Sequence, residues 1–518
     1  MLLWGSNARE THPIFFHHLL RGVRSGARLI AVDPRRTSSA EWADLWLGLD
    51  VGSDISLANA IAREIIHSGL ADKEFIERAT MGFDDYANCV EPYTLERAES
   101  ETGVPASAIQ EVAHAYGRAG RAMICWTLGI TEHHNAVDNV LALINLALLT
   151  GKVGRYGCGL NPLRGQNNVQ GGGDMGAIPN RLPGFQDVED PSMRAPFERA
   201  WNAPIPPRRG YHLSQMFESM EHGEMRAVYI VGENPARSEA DQTRAVRLLS
   251  GLDHLVVQDI FLTQTAELAH VVLPAAAGWA ESEGTVTSSE RRVQRVRRAL
   301  EPPPGARDDI ELIVEMARRL GCDWGHPTAE QVWDECRSLS PMHAGMSYAR
   351  LDALGGIQWP CPDESHSGTQ FLHARLWADP VEGPRAPFSV VEQDPPVDKL
   401  TEEFPIRLTT GRRLDSFNTG VQTGAYTSPL RTREALLLSP ADGARLGIAD
   451  GERVKASSRR GSVEVPVRFD ATLRPGLAFM TLHFPDQVAT NVLTIDATDP
   501  KSGTAEFKAS AIRVEKIA

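Results

Sequence analysis

The same strand–loop–helix–strand plan occurs twice in this 518-residue chain, and this repeat constrains the fold more than any other feature. The two copies open as Met1-Leu-Leu-Trp-Gly-Ser-Asn-Ala and Val228-Tyr-Ile-Val-Gly-Glu-Asn-Pro. In the first copy Asp33 follows Gly5 by 28 residues, and in the second Asp259 follows Gly232 by 27. Because such units build parallel sheets, we predict two Rossmann-like α/β domains.

The aspartate that ends the second strand of each copy predicts a ligand. In open parallel sheets, ligands bind beyond the carboxyl ends of the strands, where an acid commonly holds a ribose hydroxyl. The alternative is that glycine and aspartate only terminate strands, as they do in many α/β domains. Two copies with matched spacing favour two nucleotide-like ligand halves.

Periodic apolar residues predict the remaining elements. Helices are expected over Ile14–Val23, Ile55–Ser68, Ala106–Ala119 and Asn135–Thr150, and strands over Arg28–Val32 and Ala122–Leu128. After Phe404 the short β segments Ile406–Thr409, Arg453–Ser457, Ser462–Val467 and Ala478–Leu482 predict a small closed β-barrel. We therefore expect four parts: an α/β dinucleotide-binding domain over 1–160, a loop and a second such domain over 161–340, an irregular connector over 341–400, and a barrel domain over 401–518.

The run Asn161-Pro-Leu-Arg-Gly-Gln-Asn-Asn-Val-Gln-Gly-Gly-Gly-Asp-Met-Gly176 has neither a helical nor a strand period. Residues 161–212 as a whole carry eight prolines and little regular pattern. A segment so rich in Asn, Gln, Arg and Gly is unfavourable to order and unfavourable to bury unpaired. We expect it to wrap a ligand rich in hydrogen-bonding groups.

Composition excludes several classes of protein. The balance of 53 basic against 67 acidic residues, −14 in all, argues against binding of nucleic acid. No apolar run is long enough for membrane insertion and no signal-peptide pattern is present, so we predict a cytoplasmic protein. Six cysteines, none closer than fourteen residues to another, predict free thiols without a local metal-ligand cluster.

Ordered motifs run along the whole chain: Trp4-Gly-Ser-Asn-Ala-Arg-Glu-Thr-His-Pro13, Asp33-Pro-Arg-Arg-Thr37, Gly129-Ile-Thr-Glu-His-His134, the run 161–176, Gly232-Glu-Asn-Pro235, Gln258-Asp-Ile-Phe261, Glu281-Ser-Glu-Gly-Thr-Val-Thr287, Thr409-Thr-Gly-Arg412 and Asn491-Val-Leu-Thr494. Together these motifs resemble the catalytic subunits of formate dehydrogenases, within the molybdopterin oxidoreductase superfamily. The resemblance implies two-electron oxidation of formate to CO₂, a C-terminal barrel of the double-psi type, and an electron-transfer subunit or acceptor protein as partner.

The resemblance also implies a cofactor, molybdenum or tungsten on two pterin guanine dinucleotides. One dinucleotide would contact Gly5, Ser6, Asn7, Asp33 and Asp54, and the other Gly232, Glu233, Asn234, Gln258, Asp259 and Thr263. Further contacts would come from Gly165, Gln166 and Asn168 in the run 161–176, and from Thr410, Gly411, Arg412, Asn491 and Lys508 in the barrel domain.

Arg164 matches the family arginine that holds the substrate carboxylate, and a guanidinium can pair with both formate oxygens. The alternatives for Arg164 are a structural salt bridge or a pterin phosphate contact. His133 and His134 are the other catalytic candidates. Since adjacent residues of a strand or helix cannot both face one ligand, one histidine is expected to hydrogen-bond the pterin side.

The family's N-terminal part supplies the cysteines of a [4Fe-4S] cluster and a cysteine or selenocysteine that ligates the metal. This sequence contains neither, and no residue in it is predicted to ligate metal. We therefore expect the chain to be roughly the last three quarters of such a subunit, with the missing segment upstream or on a companion chain. A nitrate reductase-like enzyme and an inactive cofactor-binding fragment are the alternative functions.

Overall fold

The computed structural model of the chain describes residues 1–414, 416–419 and 433–517. The chain forms two compact units, each built from several segments. The first unit comprises Met1–Leu163, Arg237–Ala245 and Phe371–Ala518, and the second comprises Arg164–Ala236 and Val246–Gln370. The division into four domains expected from the sequence stays a prediction.

Helices are found throughout the described chain. The α-helices span Ala8–Thr11, Pro13–Arg24, Asp54–His67, Lys73–Ala79, Phe83–Val90, Leu95–Thr102, Ala106–Arg118, Leu128–Thr131, Ala136–Leu149, Val169–Asp174, Pro191–Trp201, Leu213–Glu221, Pro235–Ser238, Gln242–Ser250, Gln264–Glu267, Asp309–Arg319, Ala329–Leu339, Tyr348–Leu354 and Pro440–Leu446. Short 3₁₀ helices span Ala40–Trp42, Ala374–Trp377 and Thr490–Val492. Within the described residues, no helix is both long and apolar enough to cross a membrane.

The first unit contains a parallel sheet of five strands. Their order across the sheet is Leu45–Leu47, Ile30–Val32, Leu2–Trp4, Met123–Trp126 and Gly159–Pro162. Leu2–Trp4 is the central strand, with all three side chains buried. Strands covered on both faces read as continuous apolar runs, which is why this strand could be predicted from the sequence.

The second unit contains the second predicted parallel sheet, with strands in the order Val271–Pro274, His254–Asp259 and Ala227–Val231. A neighbouring antiparallel sheet has the order Gly284–Thr287, Arg292–Val296 and Ile357–Gln358. Two-stranded pairs complete the sheets: Arg181–Leu182 with Gln186–Asp187 in the second unit, and Thr80–Met81 with Ala386–Pro387 in the first.

The C-terminal segment of the first unit forms the predicted closed barrel. Its strands follow the order Ile406–Gly411, Leu477–Thr481, Leu436–Leu438, Ser462–Phe469, Arg453–Ser457 and Ser510–Lys516. Alternate side chains of these strands fill a separate apolar core. The predicted fold class, two α/β domains with parallel sheets and a barrel, is confirmed.

The predicted irregularity of residues 161–212 is wrong in part. Helix Val169–Asp174 forms in spite of three glycines, and helix Pro191–Trp201 forms in spite of an internal proline. The second of these has ordinary local causes. Proline suits the first helical turn, and the Asp190 side chain caps the helix by accepting from Ser192 N at 2.8 Å.

Candidate functional site

The loop after the first strand is folded tightly. Gly5 has a φ of +56°, and a Cβ on it would lie 2.7 Å from the carbonyl carbon of Gly129. Asn7 Oδ1 accepts hydrogen bonds from Ser39 N and Oγ at 3.2 and 2.8 Å. However, Ser6 Oγ and Asn7 Nδ2 are buried and have no hydrogen-bond partner among the described residues. Each such group costs about 1–3 kcal/mol, so this loop is suited to a ligand that offers hydrogen-bond partners.

Two carboxylates lie beside this loop in the first unit. Burial raises the pKa of Asp33 to about 6, against the opposing effect of Arg35. Burial also raises the pKa of Asp54, which accepts from Trp4 Nε1 at 2.8 Å. The charges of the two aspartates act on each other and raise the pKa of Asp33 further. Such carboxylates suit a ligand rich in donors, such as a ribose or a guanine, and would repel a phosphate.

His133 and His134 both face one carboxylate, that of Glu506. His133 Nδ1 lies 3.3 Å from Glu506 Oε1, and His134 Nδ1 lies 3.2 Å from Glu506 Oε2. The rule that adjacent residues diverge applies to helices and strands, whereas these two lie in a turn after helix Leu128–Thr131. The other ring nitrogens also have partners: Gly129 O at 3.1 Å for His133, and Asp394 Oδ2 at 3.1 Å for His134.

Glu506 and the two histidines shift one another's pKa values. Burial alone would raise the pKa of Glu506, but the two histidines outweigh it and hold that pKa below its usual range. Burial alone would lower the pKa of His133, but Glu506 outweighs it and raises that pKa. The pKa of His134 is raised, chiefly by its hydrogen bond with Glu506. The three groups therefore favour two imidazolium rings around one carboxylate, and the catalytic role of the histidines stays a prediction.

Two of the predicted barrel residues, Lys508 and Asn491, bind to other parts of the chain. Lys508 Nζ pairs with Glu132 Oε2 at 2.7 Å and donates to Thr410 O at 3.1 Å. Asn491 Nδ2 donates to the carbonyls of Arg237 and Ser238, both at 3.1 Å, and so is engaged by the protein itself.

The other barrel residues of the predicted cage lie near the end of strand Ile406–Gly411. Thr410 Oγ1 donates to Phe507 O at 2.9 Å, and Gly411 is the last residue of the strand. Arg412 Nε is buried with no hydrogen-bond partner in the part of the chain that the structure describes. Like the Ser6 and Asn7 groups, this donor is suited to a polar ligand.

In the second unit the predicted dinucleotide residues are mostly engaged by the protein. Asn234 Oδ1 accepts from Thr265 Oγ1 at 2.8 Å, and Thr263 Oγ1 caps a short helix by accepting from Ala266 N at 3.2 Å. Gln258 is fully buried, with Tyr229 and Asp309 hydrogen-bonded to its amide.

The remaining predicted residues, Gly232, Glu233 and Asp259, lie at the carboxyl ends of two strands of this second sheet. Gly232 and Glu233 are exposed, and Gly232 repeats the positive φ of the first copy at +64°. Asp259 is half-buried, and burial raises its pKa. The two sequence copies therefore share backbone geometry but differ in how many polar groups lack partners.

Residues 164–176 of the run 161–176 begin the second unit. Arg164 N donates to Ser289 Oγ at 3.2 Å, and the same hydroxyl donates to Arg164 O at 3.2 Å. Arg164 Nε donates to Gln170 Oε1 at 2.9 Å. Asn168 Oδ1 accepts from Thr287 N at 2.9 Å. Gly165 and Gln166 are exposed.

Several important residues were not assigned from the sequence. They are Trp4, Glu506, Gln170 and Asp174. Glu506 lies only two residues before the predicted Lys508, and Asp174 is the single acid of the run 161–176. Both could have been noted as charges without a stated partner. However, Glu506 meets His134 from 372 residues away, and Asp174 meets Trp359 from 185 residues away. Within the described residues no three His, Cys, Asp or Glu side chains are grouped to hold a metal ion.

Comparison with known proteins agrees with this architecture. Residues 1–319 match the family model for Molybdopterin oxidoreductase, and residues 406–511 match that for the Molydopterin dinucleotide binding domain. A relative from Methanococcus maripaludis, F420-dependent formate dehydrogenase 2 subunit alpha, is 41% identical over 100% of this chain and 76% of its own length. Formate dehydrogenase H of Escherichia coli is 37% identical over 100% of this chain and 73% of its own length.

Among solved structures, the acetylene hydratase from Pelobacter acetylenicus matches with a TM-score of 0.72 at 20% identity, covering 100% of this chain and 78% of that one. This likeness concerns the fold. The partnerless polar groups at Ser6, Asn7 and Arg412 fit a large polar dinucleotide, as the matched families require. On the family models and the identities to its relatives, the chain belongs to the molybdopterin oxidoreductase family.

Proposed function

We propose that the chain is the formate-binding part of an enzyme that oxidises formate to CO₂, releasing one proton and two electrons. The cofactor in this proposal is molybdenum or tungsten on two pterin guanine dinucleotides, which when bound supplies the acceptor for the two electrons. The electrons leave through an electron-transfer subunit or acceptor protein. Two relatives that match over the whole of this chain, both named as formate dehydrogenases, support the choice of substrate.

The observation that carries the proposal is how Arg164 is held. Its backbone is fixed on both sides by one hydroxyl, that of Ser289, and its Nε is fixed by Gln170. A guanidinium has five N–H donors in a planar fork, and Gln170 sets the direction of that fork by accepting from Nε. In the proposal, Arg164 pairs with the formate carboxylate and fixes its orientation.

The two histidines have a different role in this proposal. Because both nitrogens of His133 face acceptors and the pKa of His133 is raised, a protonated ring is favoured. A ring in that state is a poor proton acceptor. We propose that His133 braces Gly129, against which Gly5 packs, and thereby shapes the loop that binds the first dinucleotide.

Location and the iron–sulfur cluster are further parts of the proposal. All six cysteines are free thiols, which suits the reducing cytoplasm. A [4Fe-4S] cluster, if the enzyme contains one, would be held by residues outside this sequence.

The test is formate-dependent dye reduction by the enzyme purified with its native partner subunits, comparing wild type with Arg164→Lys and Arg164→Gln. Lysine keeps the charge but cannot pair with both oxygens, so we expect KM for formate to rise about tenfold or more for Lys and further for Gln. Arg209→Lys, in an exposed ion pair with Glu189 at 2.8 Å, is the matched control in the same unit.

Two other measurements separate the alternatives. If the enzyme oxidises the dye with nitrate and shows no activity with formate, nitrate replaces formate as the proposed substrate. Wild-type enzyme lacking molybdenum, tungsten and pterin by elemental analysis and pterin fluorescence would support an inactive fragment. An unchanged KM in both Arg164 variants would overturn the role of Arg164.

A further inference from the structure

A chain of hydrogen bonds extends from Arg164 to a buried carboxylate. Arg164 Nε donates to Gln170 Oε1 at 2.9 Å, and Gln170 Nε2 donates to Asp174 Oδ1 at 2.8 Å. Asp174 is fully buried, and its second oxygen accepts from Trp359 Nε1 at 2.8 Å. All four residues belong to the second unit.

We propose that Asp174 is a positioning residue, which sets the direction of the Gln170 amide and through it the orientation of the Arg164 guanidinium for the carboxylate substrate. This inference rests on the proposed function. It assigns a specific task to an acid that does not itself reach the substrate.

The positioning role of Asp174 depends on the direction of each hydrogen bond. An ionised carboxylate only accepts, whereas a glutamine amide can turn to present either its oxygen or its NH₂ group. With Asp174 ionised, the NH₂ group must face Asp174, so the oxygen must face Arg164. A guanidinium only donates, and this is the one amide direction that satisfies all three groups.

The surroundings hold Asp174 in place, and they shift its pKa in opposite directions. Burial raises the pKa of Asp174, while the hydrogen bonds from Gln170 and Trp359, followed by the charges of Arg164 and Arg291, oppose that rise. Trp359 is itself held, since its carbonyl accepts from Arg291. Asp174 therefore has a donor on each oxygen.

The loop has other attachments, so a change at Asp174 is not expected to unfold it. Asn168 Oδ1 accepts from Thr287 N at 2.9 Å, and Ser289 holds the backbone of Arg164. These contacts do not involve Asp174. They make it possible to test orientation separately from loop structure.

The decisive variant is Asp174→Asn, which keeps the size of the side chain. Its NH₂ group can donate to Gln170, which turns the glutamine amide and brings two donors, the Gln170 NH₂ and Arg164 Nε–H, against each other. In the enzyme with its native partner subunits, we expect KM for formate to rise about tenfold with kcat changed less than threefold. Asp187→Asn, in the ion pair with Arg181 at 2.6 Å, is the control and should leave KM unchanged.

A rescue experiment distinguishes orientation from general damage. In the Asp174→Asn background, Gln170→Glu introduces a carboxylate that can accept from both the new amide and Arg164. We expect this second change to restore KM to within about threefold of wild type. A purely structural role for Asp174 would leave the double variant as impaired as the single one.

The outcomes separate this inference from the proposed function. If wild type does not oxidise formate, the proposed function fails. If Arg164→Lys raises KM but Asp174→Asn does not, the positioning role alone is overturned. Loss of bound metal and pterin in Asp174→Asn, with no change of KM in the loaded fraction, would likewise overturn it.

Discussion

Trp4 donates its indole N–H to the Asp54 carboxylate across 2.8 Å, joining the end of the central strand to the first turn of helix Asp54–His67. Trp4 is fully buried and Asp54 is 7% exposed. A hydrogen bond to a charged group contributes about 1.5–3 kcal/mol, roughly twice a neutral one. This contact therefore stabilises the strand–helix junction beside the predicted dinucleotide loop.

Trp4→Phe should destabilise the protein more than Trp46→Phe does. Both changes remove an indole N–H, but Trp46 Nε1 donates to a neutral acceptor, the carbonyl of Asp33, at 2.9 Å. The expected difference is at least about 1 kcal/mol, measured by urea denaturation followed through the first unfolding transition. If both variants lose the same free energy of unfolding, the Trp4–Asp54 hydrogen bond stabilises the protein no more than the Trp46 bond does.

Asp33→Asn should stabilise the ligand-free protein at neutral pH. Because burial raises the pKa of Asp33 to about 6, its protonated form favours the folded state below the ordinary value of 3.8, and that advantage is lost as pH rises through about 6. An amide removes this partly buried charge, and we expect a gain of about 1–3 kcal/mol above pH 6 that shrinks towards pH 4. Thermal unfolding at several pH values measures it.

The same variant should bind the dinucleotide cofactor more weakly, because an amide accepts hydrogen bonds less strongly than a carboxylate. Cofactor binding is measured as the amount of pterin and metal per chain after purification. Greater stability together with undiminished cofactor content would contradict a ligand-binding role for Asp33.

Elements with a purely local cause could be predicted from the sequence. The central strand Leu2–Trp4 and the barrel strand Arg453–Ser457 lie where their apolar patterns put them. Helix Val169–Asp174 could not be predicted, because its three glycines disfavour a helix and its start is fixed by a bond between Asn168 and Thr287, 119 residues apart.

The same limit applies to the candidate site. The loop residues and the strand-ending aspartates have signatures in the sequence because their backbone positions demand particular residue types. The partner of His134 does not, since Glu506 lies 372 residues away along the chain. Which carboxylate meets which ring is decided by packing of the barrel, and no local pattern carries that information.

Glu506→Gln should weaken the first unit in a pH-dependent way. The raised pKa values of His133 and His134 give stability that is complete below 6.5 and is lost as pH rises through those values. The lowered pKa of Glu506 gives stability that is fully present above 4.5 and is lost as pH falls from there through the lower pKa of the folded state. The wild type should therefore gain most from this cluster between about pH 4.5 and 6.5.

Removing one member of a buried charge cluster costs about 3–5 kcal/mol, so Glu506→Gln should lose most of the pH dependence above 6.5 along with that stability. Glu91→Gln is the matched control, since Glu91 pairs with His67 at 2.7 Å on the surface. Exposed pairs of this kind contribute little to stability because solvent screens them. Thermal unfolding of both variants from pH 5 to 8.5 makes the comparison, and similar small losses would rule out a strong buried cluster.

Gly171→Ala and Gly172→Ala should have opposite effects although they are neighbours in one helix. A Cβ on Gly171 would lie 2.0 Å from Asn168 Oδ1, whereas nothing lies within 4 Å of a Cβ on Gly172. Asn168 Oδ1 cannot move away without breaking its bond from Thr287 N. We expect Gly171→Ala to cost about 1–2 kcal/mol, while Gly172→Ala gains up to about 1 kcal/mol from its better helix propensity.

The two variants also test the loop in function. Since Asn168 helps to anchor the segment that carries Arg164, Gly171→Ala should raise KM for formate several-fold, and Gly172→Ala should leave it unchanged. Thermal unfolding and formate-dependent dye reduction on the same preparations give both readings. If Gly171→Ala is tolerated as well as Gly172→Ala, the contact between Asn168 and Thr287 does not hold the loop in the arrangement described.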